Sequence, residues 1–496
     1  MRKWNRLLML LCLLLLLPVM AVQAEEVEAE NISGQELVVA ANRINKDRLF
    51  DGDKLNQQQI VSQSWVTMEH EKGIGSVYLM FNLEYGTYTI TNEDTGETVD
   101  CGANNYLHDF VDLTALFGTA PKKITVAFPQ ERGEINEMYA FTQGQVPDWV
   151  QIWQQPVDKE TDLVLFSTHC DDEQLFFAGI LPYYAGELDY QVQVVYLTIS
   201  RNHSTRRAHE MLDGLWAVGV RSYPVYSPYG DYKAPTMDKA YSVYKVMGVE
   251  EEQLLEYVVE NIRRFKPKVA IGHDIINGEY GHGAHILYAD LLTKALEITN
   301  DPAQFPESAE KYGLWDIPKT YLHLYPENPI IVDWDIPLSK FGGMTAYEVT
   351  KNIGFPCHVS QVNGFLWYMA GADTAKEVQK YSPCEYGLYR STVGPDVEKN
   401  NFFENMTTYA QDKLLAEEAI KKAEEEARLA QEEAKRLEEE QKRQAEAEAA
   451  REAELEALRQ KEAQELQDRK WKLFGTLGGI MGVLALVLLV VLLKKK

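Results

Sequence analysis

The chain has 496 residues, of which 45% are hydrophobic, and its formal net charge at pH 7 is −26. That length exceeds one ordinary domain and predicts two or three units, with enough apolar residues for a sizeable core. The acidity excludes nucleic acid as a partner, because neutralising phosphates takes a basic face, and it suits a soluble ectodomain.

Arg2, Lys3 and Arg6 precede an apolar stretch from Leu7 to Leu17, and Val22-Gln23-Ala24 offers a small-residue cleavage site. Residues 1–24 therefore read as a secretory signal peptide and stand outside the fold. Residues 25–156 read as all-β. Runs such as Gly75–Asn82 and Lys123–Pro129 are rich in β-branched and aromatic residues, and turn clusters such as Asn92–Gly96 separate them. Short strands at this spacing predict a sandwich. The stretch Trp65–His70 followed by Val77–Phe81 resembles the discoidin or galactose-binding-like sandwiches that accompany many glycan enzymes, which implies a carbohydrate-binding domain. Trp65, Tyr78 and Tyr85 are either sandwich core or a platform for pyranose rings, and core is the commoner use.

The period changes over residues 161–405. An apolar strand, Leu163–Ser167, leads into a helical stretch beginning near Gln174. A second strand starts at Val192, and a helix spans Ser204 to Val218. A third strand lies near Tyr223–Tyr226, and the helix Glu250–Phe265 leads to the strand Val269–Gly272. A further strand holds Tyr321–Tyr325. Strands alternating with helices predict a largely parallel α/β sheet.

Residues 412–470 are mostly Glu, Ala, Lys, Arg, Gln and Leu. Ala416, Ile420, Ala423, Ala427, Ala430, Ala434 and Leu437 form a weak heptad seam. The reading is a charged stalk, either a single helix or a coiled coil through which the chain would self-associate. At about 1.5 Å per residue it would reach on the order of 85 Å. Residues 473–493 carry no charge and are long enough to cross a bilayer, and Lys494, Lys495 and Lys496 favour a cytoplasmic tail. The expected placement is a single pass through the cell membrane with the ectodomain outside. Beyond Cys12 in the signal, Cys101, Cys170, Cys357 and Cys384 remain. They read as free thiols, or as one disulfide between Cys357 and Cys384.

The chemistry sits in two short segments. After the first α/β strand the chain reads His169-Cys-Asp171-Asp172-Glu173, and after Val269–Gly272 it reads Gly278-Glu-Tyr280-Gly-His282-Gly-Ala-His285. Clustered carboxylates repel one another unless a cation offsets them. Two histidines and one aspartate with an open position are the inventory of a catalytic zinc. Gly281 and Gly283 allow the backbone to turn tightly there.

These two segments resemble the LmbE-like or PIG-L family of zinc-dependent N-acetylglucosaminyl deacetylases, a likeness covering residues 161–405. The resemblance implies one zinc ion on His169, Asp172 and His285, with Asp171 as catalytic base. It implies that His282 stabilises the oxyanion or protonates the leaving amine, and that Tyr280 contacts the oxyanion. Arg207-Ala-His-Glu210 resembles the family's Arg-x-x-Glu, with Arg207 facing substrate, and His358-Val-Ser-Gln361 its His-x-Ser-Gln element near the site. The chain departs from the pattern at Cys170, where the family has proline, and at Ala284, where an aspartate would orient His282; Glu279 or another acid is the expected substitute. His203, His209, His273 and His323 read as structural histidines. The expectation is a surface-anchored amidohydrolase that removes acetyl groups from an N-acetylated sugar or glycan. The alternatives are a non-catalytic glycan-binding protein on a disabled deacetylase fold, and an amide hydrolase of the same zinc type with a non-sugar substrate.

Overall fold

The computed structural model describes residues 27–494 except 83, 104, 131, 200–203 and 370. The expected signal peptide, His203, Lys495 and Lys496 lie outside the described residues. Nine strands come first: β1 Val38–Asn42, β2 Gln58–Val61, β3 Ser64–Glu69, β4 Ser76–Phe81, β5 Tyr88–Asn92, β6 Glu97–Cys101, β7 His108–Asp112, β8 Lys123–Phe128 and β9 Arg132–Phe141. They form two antiparallel sheets, in the orders β1-β3-β8-β5-β6 and β2-β9-β4-β7. Period-2 alternation aims Val66 and Met68, Val77 and Leu79, and Ile124 and Val126 into one shared core. Tyr85 belongs to that core. Tyr78 is fully buried on the opposite face of β4, so neither tyrosine is free to form a sugar platform, while Trp65 is half-buried.

A third sheet joins β10 Leu163–Ser167, β11 Val192–Tyr196, β12 Val225–Tyr226, β13 Val269–Gly272, β14 Lys319–His323, β15 Pro329–Ile331 and β16 Glu385–Ser391. Its order is β12-β11-β10-β13-β14-β16-β15. β10 through β14 pair in parallel, and β16 and β15 add an antiparallel edge that no hydrophobic period in the sequence announced. Both faces are covered, as near-continuous apolar strands require. Leu163, Leu165, Val192 and Val194 pack with Ala208, Met211, Leu212 and Leu215 of helix α2; α1 is Asp172–Leu175 and α2 Thr205–Ala217. Val164, Phe166, Val195 and Ala270 face the other way, onto helices α4 and α5; α3 is Met237–Val246, α4 Glu251–Phe265 and α5 Gly283–Ile298. The chain progresses outward through β11 and β12 on one side of β10 and through β13 and β14 on the other. The gap between the carboxyl ends of β10 and β13 is thus a switch point, where open α/β sheets hold ligands.

The sandwich is packed directly against this layer. Leu107, just before β7, is buried in the same cluster as Leu165 and Leu215. His108 Nε2 lies 2.8 Å from His209 Nδ1 on α2, and the Tyr78 hydroxyl caps the far nitrogen of His108 at 2.5 Å. Lys54 pairs with Asp213, and the Trp216 indole donates to the Asp148 carbonyl at 2.7 Å. The chain through Tyr409 forms one compact unit.

The four described cysteines are free thiols, so the Cys357–Cys384 disulfide is not formed. Cys357 turns its Sγ back onto the Ile353 carbonyl of its own helical turn, at 3.3 Å. From Ala410 onward a second unit consists of the remainder of one helix, α7, Tyr409–Leu493, with α6 being Val362–Met369 in the first unit. No glycine or proline interrupts α7 before Gly475, and Arg428 bridges Glu425 and Glu432 at 2.6 and 3.3 Å. Among the described residues this is the one helix with an apolar window long enough to cross a membrane, with mean hydropathy 2.8.

Candidate metal centre

β10 ends at Ser167 and the chain turns at once into α1, which opens at Asp172 rather than at the expected Gln174. His169, Asp171, Asp172 and Glu173 are all buried there. β13 ends at Gly272, and after one irregular turn α5 begins at Gly283, presenting His282 and His285. Within that turn Gly278 and Gly281 have φ of 64° and 71°, the left-handed region glycine tolerates best. Tyr280 takes φ 47° without that freedom, a strained conformation that the surrounding contacts hold.

Three donor atoms converge. His169 Nδ1 and Asp172 Oδ2 are 3.0 Å apart, His285 Nε2 and Asp172 Oδ2 3.2 Å, and the two ring nitrogens 3.2 Å. Ligands about 2.0–2.1 Å from one tetrahedral zinc stand about 3.3 Å from each other, so this triangle has the size a single ion needs. The far nitrogen of each ring faces a carboxylate. His169 Nε2 lies 3.3 Å from Asp231 Oδ1, and His285 Nδ1 2.7 Å from Glu279 Oε2. Donating outward, each imidazole keeps its inward lone pair for a cation.

Glu279 is fully buried and serves as a hub. Its Oε2 accepts from His273 Nδ1 at 2.8 Å and from His285, and its Oε1 from His323 Nδ1 at 2.7 Å and from the Asp274 amide at 3.2 Å. Asp172, His273 and His285 also form a cluster that could hold an ion, as do His169, His282 and His285. His273 has no lone pair to give, however, because its Nε2 accepts the Thr168 amide at 2.9 Å. His282 caps α5, with Nδ1 accepting the Ala284 amide at 3.2 Å, which leaves Nε2–H as a donor.

The electrostatics favour a cation. Burial alone would raise the Asp172 carboxyl, but His285 and His169 hold it well below the usual range. Burial opposes charge on His285, yet Asp172 and Glu279 push it up to about 9; His169 is raised likewise by Asp172 and Asp231. The cluster thus gathers protons where a divalent ion would supply the same charge. Burial, followed by the charges on His169 and His285, pushes His282 down to about 3, the state of a neutral imidazole.

Beside these groups lies a cavity of about 220 Å³ lined by His169, Asp171, Arg207, Asp231, Tyr280 and His282 together with Ile199, Gln361 and Phe365. Arg207 Nη2 lies 3.3 Å from Asp171 Oδ1, and Nη1 lies 3.4 Å from Glu210 Oε2. Glu210 in turn accepts the Ser360 amide and hydroxyl at 2.9 and 2.6 Å, which ties the Ser360–Gln361 segment to α2. The structure therefore brings His169, Asp171, Asp172, Arg207, Tyr280, His282 and His285 together. It does not bring His358 to the cavity. That ring is fully buried, 3.3 Å from Glu173 Oε1, and is not part of the cavity lining. Cys170 also points away, its thiol donating to the Ile199 carbonyl at 3.2 Å.

Sequence reasoning missed the roles of His273, His323 and Asp231 and gave Glu279 the wrong partner. His273 and His323, read as structural, bind the Glu279 hub; Glu279 supports His285 and not His282. Asp231, from the loop before α3, is the acid that faces His169 and His282. Gly283 is what lets that loop close in, since its amide donates to the Ala234 carbonyl at 2.7 Å and a Cβ there would collide with the Thr236 carbonyl.

No family model and no curated protein matches the chain. Several solved structures are similar to parts of it. N,N'-diacetylchitobiose deacetylase from Pyrococcus horikoshii is 15% identical over 47% of this chain and 83% of its own, with a TM-score of 0.31. A conserved protein from Thermus thermophilus is 14% identical over 48% of this chain and 96% of its own, also at 0.31. A pectin-binding carbohydrate-binding module is 15% identical over 24% of this chain and 96% of its own, at 0.16.

Proposed function

We propose that this chain is a zinc-dependent amidohydrolase that removes acetyl groups from N-acetylated amino sugars of the N-acetylglucosamine type, anchored in the cell membrane by the apolar end of α7 with its ectodomain outside. One observation carries the reading. Two imidazole nitrogens and one carboxylate oxygen, from segments 116 residues apart, form a triangle 3.0–3.2 Å on a side, each ring braced by an outer carboxylate, at the wall of a cavity. The residues fit one zinc ion on His169, Asp172 and His285. When bound, zinc supplies Lewis acidity that lowers the pKa of a water to about 7 and draws charge from an amide carbonyl.

The side chains then divide the remaining work. Asp171, free of the triangle and adjacent to it, accepts the proton of the attacking water, and Arg207 holds its carboxylate in place. His282 Nε2–H and the Tyr280 hydroxyl donate to the developing oxyanion. Burial and the carboxylates of Asp172 and Asp171 keep the Tyr280 phenol protonated for this. Since His282 stays neutral, the proton for the departing amine returns from Asp171. Cysteine at 170 leaves this arrangement undisturbed, and Asp231 provides near His282 the negative charge missing at Ala284. The sandwich is assigned to glycan binding on its resemblance alone.

Purified full chain is expected to carry about one zinc per molecule by elemental analysis and to release acetate from N-acetylglucosamine-containing oligosaccharides. Chelation should abolish the release, and Asp171→Asn should lower kcat by about 10²–10⁴-fold without loss of metal. Zinc-loaded protein that frees no acetate from any acetylated amino sugar would refute the substrate assignment.

A further inference from the structure

The cavity at the metal centre, about 220 Å³, is smaller than the ~300 Å³ at which ordinary ligand pockets begin, so it holds one small ring and little else. Whatever is attached to that ring must lie outside the mouth. Gln361 and, on α6, Phe365 belong to the lining of the cavity. This helix carries apolar residues on both sides, and Asn363 and Gly364 are also among its exposed residues. Val362, Phe365 and Tyr368 turn inward onto the core of the α/β layer, as a surface helix should. The outward side should then be polar, yet Leu366 is 49% and Trp367 54% exposed, and Val359 just before the helix is 61% exposed. An indole left in solvent next to Phe365, a ring of the cavity lining, is an apolar face open to a ligand.

The rings form a continuous path. Tyr280, inside the cavity, stands 5.9 Å from Phe365, and Phe365 stands 6.5 Å from Trp367, centroid to centroid. Each step is comparable with the width of a pyranose ring. Polar groups flank the path, with Gln361 at its inner end and the Lys380 ammonium 5.9 Å from the Trp367 ring at its outer end.

We propose that Phe365 and Trp367 form a saccharide subsite continuous with the cavity, so that the substrate is an oligosaccharide or polymer with its acetylated residue at the metal and the adjoining residue stacked on Trp367. This rests on the amidohydrolase reading and adds a substrate length to it. Sugars suit the path because the axial C–H face of a pyranose packs on an aromatic ring while its hydroxyls reach side chains such as Gln361 and Lys380. A bilayer suits it less, because a net charge of −26 is repelled by anionic lipid.

The test compares acetate release from N-acetylglucosamine and from its β-linked tetramer by the zinc-loaded full chain in detergent, as wild type, Trp367→Ala and Trp367→Phe. Trp367→Ala is expected to raise KM for the tetramer about tenfold, the loss of one ring stack, and to leave kcat on both substrates and KM for the monomer within twofold. Trp367→Phe should restore most of the tetramer KM. Equal KM changes on both substrates, or none on either, overturn the subsite. So does quenching of Trp367 fluorescence by brominated lipid in reconstituted vesicles with the tetramer KM unmoved, which would assign α6 to the bilayer. If no variant, wild type included, releases acetate, the amidohydrolase reading fails separately. The subsite is then decided by tetramer binding, read as tryptophan quenching that Trp367→Phe removes and whose absence in wild type overturns it.

Discussion

Replacing Glu279 by glutamine probes how far the buried hub governs the candidate metal site. A carboxylate offers four lone-pair positions, and all four are taken here, two per oxygen: His273 and His285 on Oε2, His323 and the Asp274 amide on Oε1. Glutamine keeps the shape but turns one oxygen into a donor. Placed toward His323, its NH₂ allows that ring to change tautomer but leaves the Asp274 amide facing a donor; placed toward His285, it sets two imidazole N–H groups against it. The gentler orientation orphans one buried amide, at about 1–3 kcal/mol. It also replaces a charge-assisted bond to His285 by a neutral one of about half the strength. Outer-shell partners of this kind alter metal affinity by about 10–100-fold. Glu279→Gln is therefore expected to weaken zinc binding by that factor, measured by competition with a chromophoric chelator. Metal-free thermal unfolding should fall by only a few degrees, and activity should return at saturating zinc. Unchanged zinc affinity in a folded variant would refute the argument that His285 is held by this carboxylate.

Other expectations follow from the same geometry. His285 is pushed up to about 9, so zinc must displace a proton from it, and zinc affinity should weaken steadily as pH falls below 9, read by the same chelator competition. His209, at the sandwich joint, is held down to about 4 from an ordinary 6.5 chiefly by burial. The unfolded chain takes up a proton at this residue below pH 6.5 and the folded chain only near 4, so stability is intact above 6.5 and is lost as pH falls. The loss from His209 approaches about 3 kcal/mol, visible in denaturant midpoints between pH 7 and 4.5 and reduced in His209→Asn, where His108, also held well below its usual range by burial, keeps its own share. Leu165→Ala, in the central strand with no exposed surface, should cost about 2–5 kcal/mol in urea unfolding.

The sequence made the centre of the α/β sheet legible because its strands are buried on both faces. Leu163–Phe166 and Val269–Gly272 are short unbroken apolar runs, and the donors that follow each one stay close to it along the chain. His169, Asp172 and His285 were accessible to reading for that reason. Asp231 and His323 were not, because their roles depend on a loop and a strand that meet the site only after the sheet has formed. Glu279 was visible as an acid, but its direction was set by the irregular turn at Tyr280. That turn points it toward His285, while the sequence offered it as a partner for His282. His358 shows the converse. A motif expected near the site does not say which way its ring turns, and His358 is fully buried against Glu173. The antiparallel edge, β15 and β16, escaped because Glu385–Ser391 mixes glycine, arginine and serine with its apolar residues.

A β-module on a string can be cut off, duplicated or transplanted without injury to its neighbour. The sandwich of this protein lacks that independence, since Leu107 completes the interior of the α/β layer and His108 grips the helix that carries Arg207. Anyone trimming the chain should keep both halves. For the same reason, an α/β layer expressed alone would need a different plug in that gap.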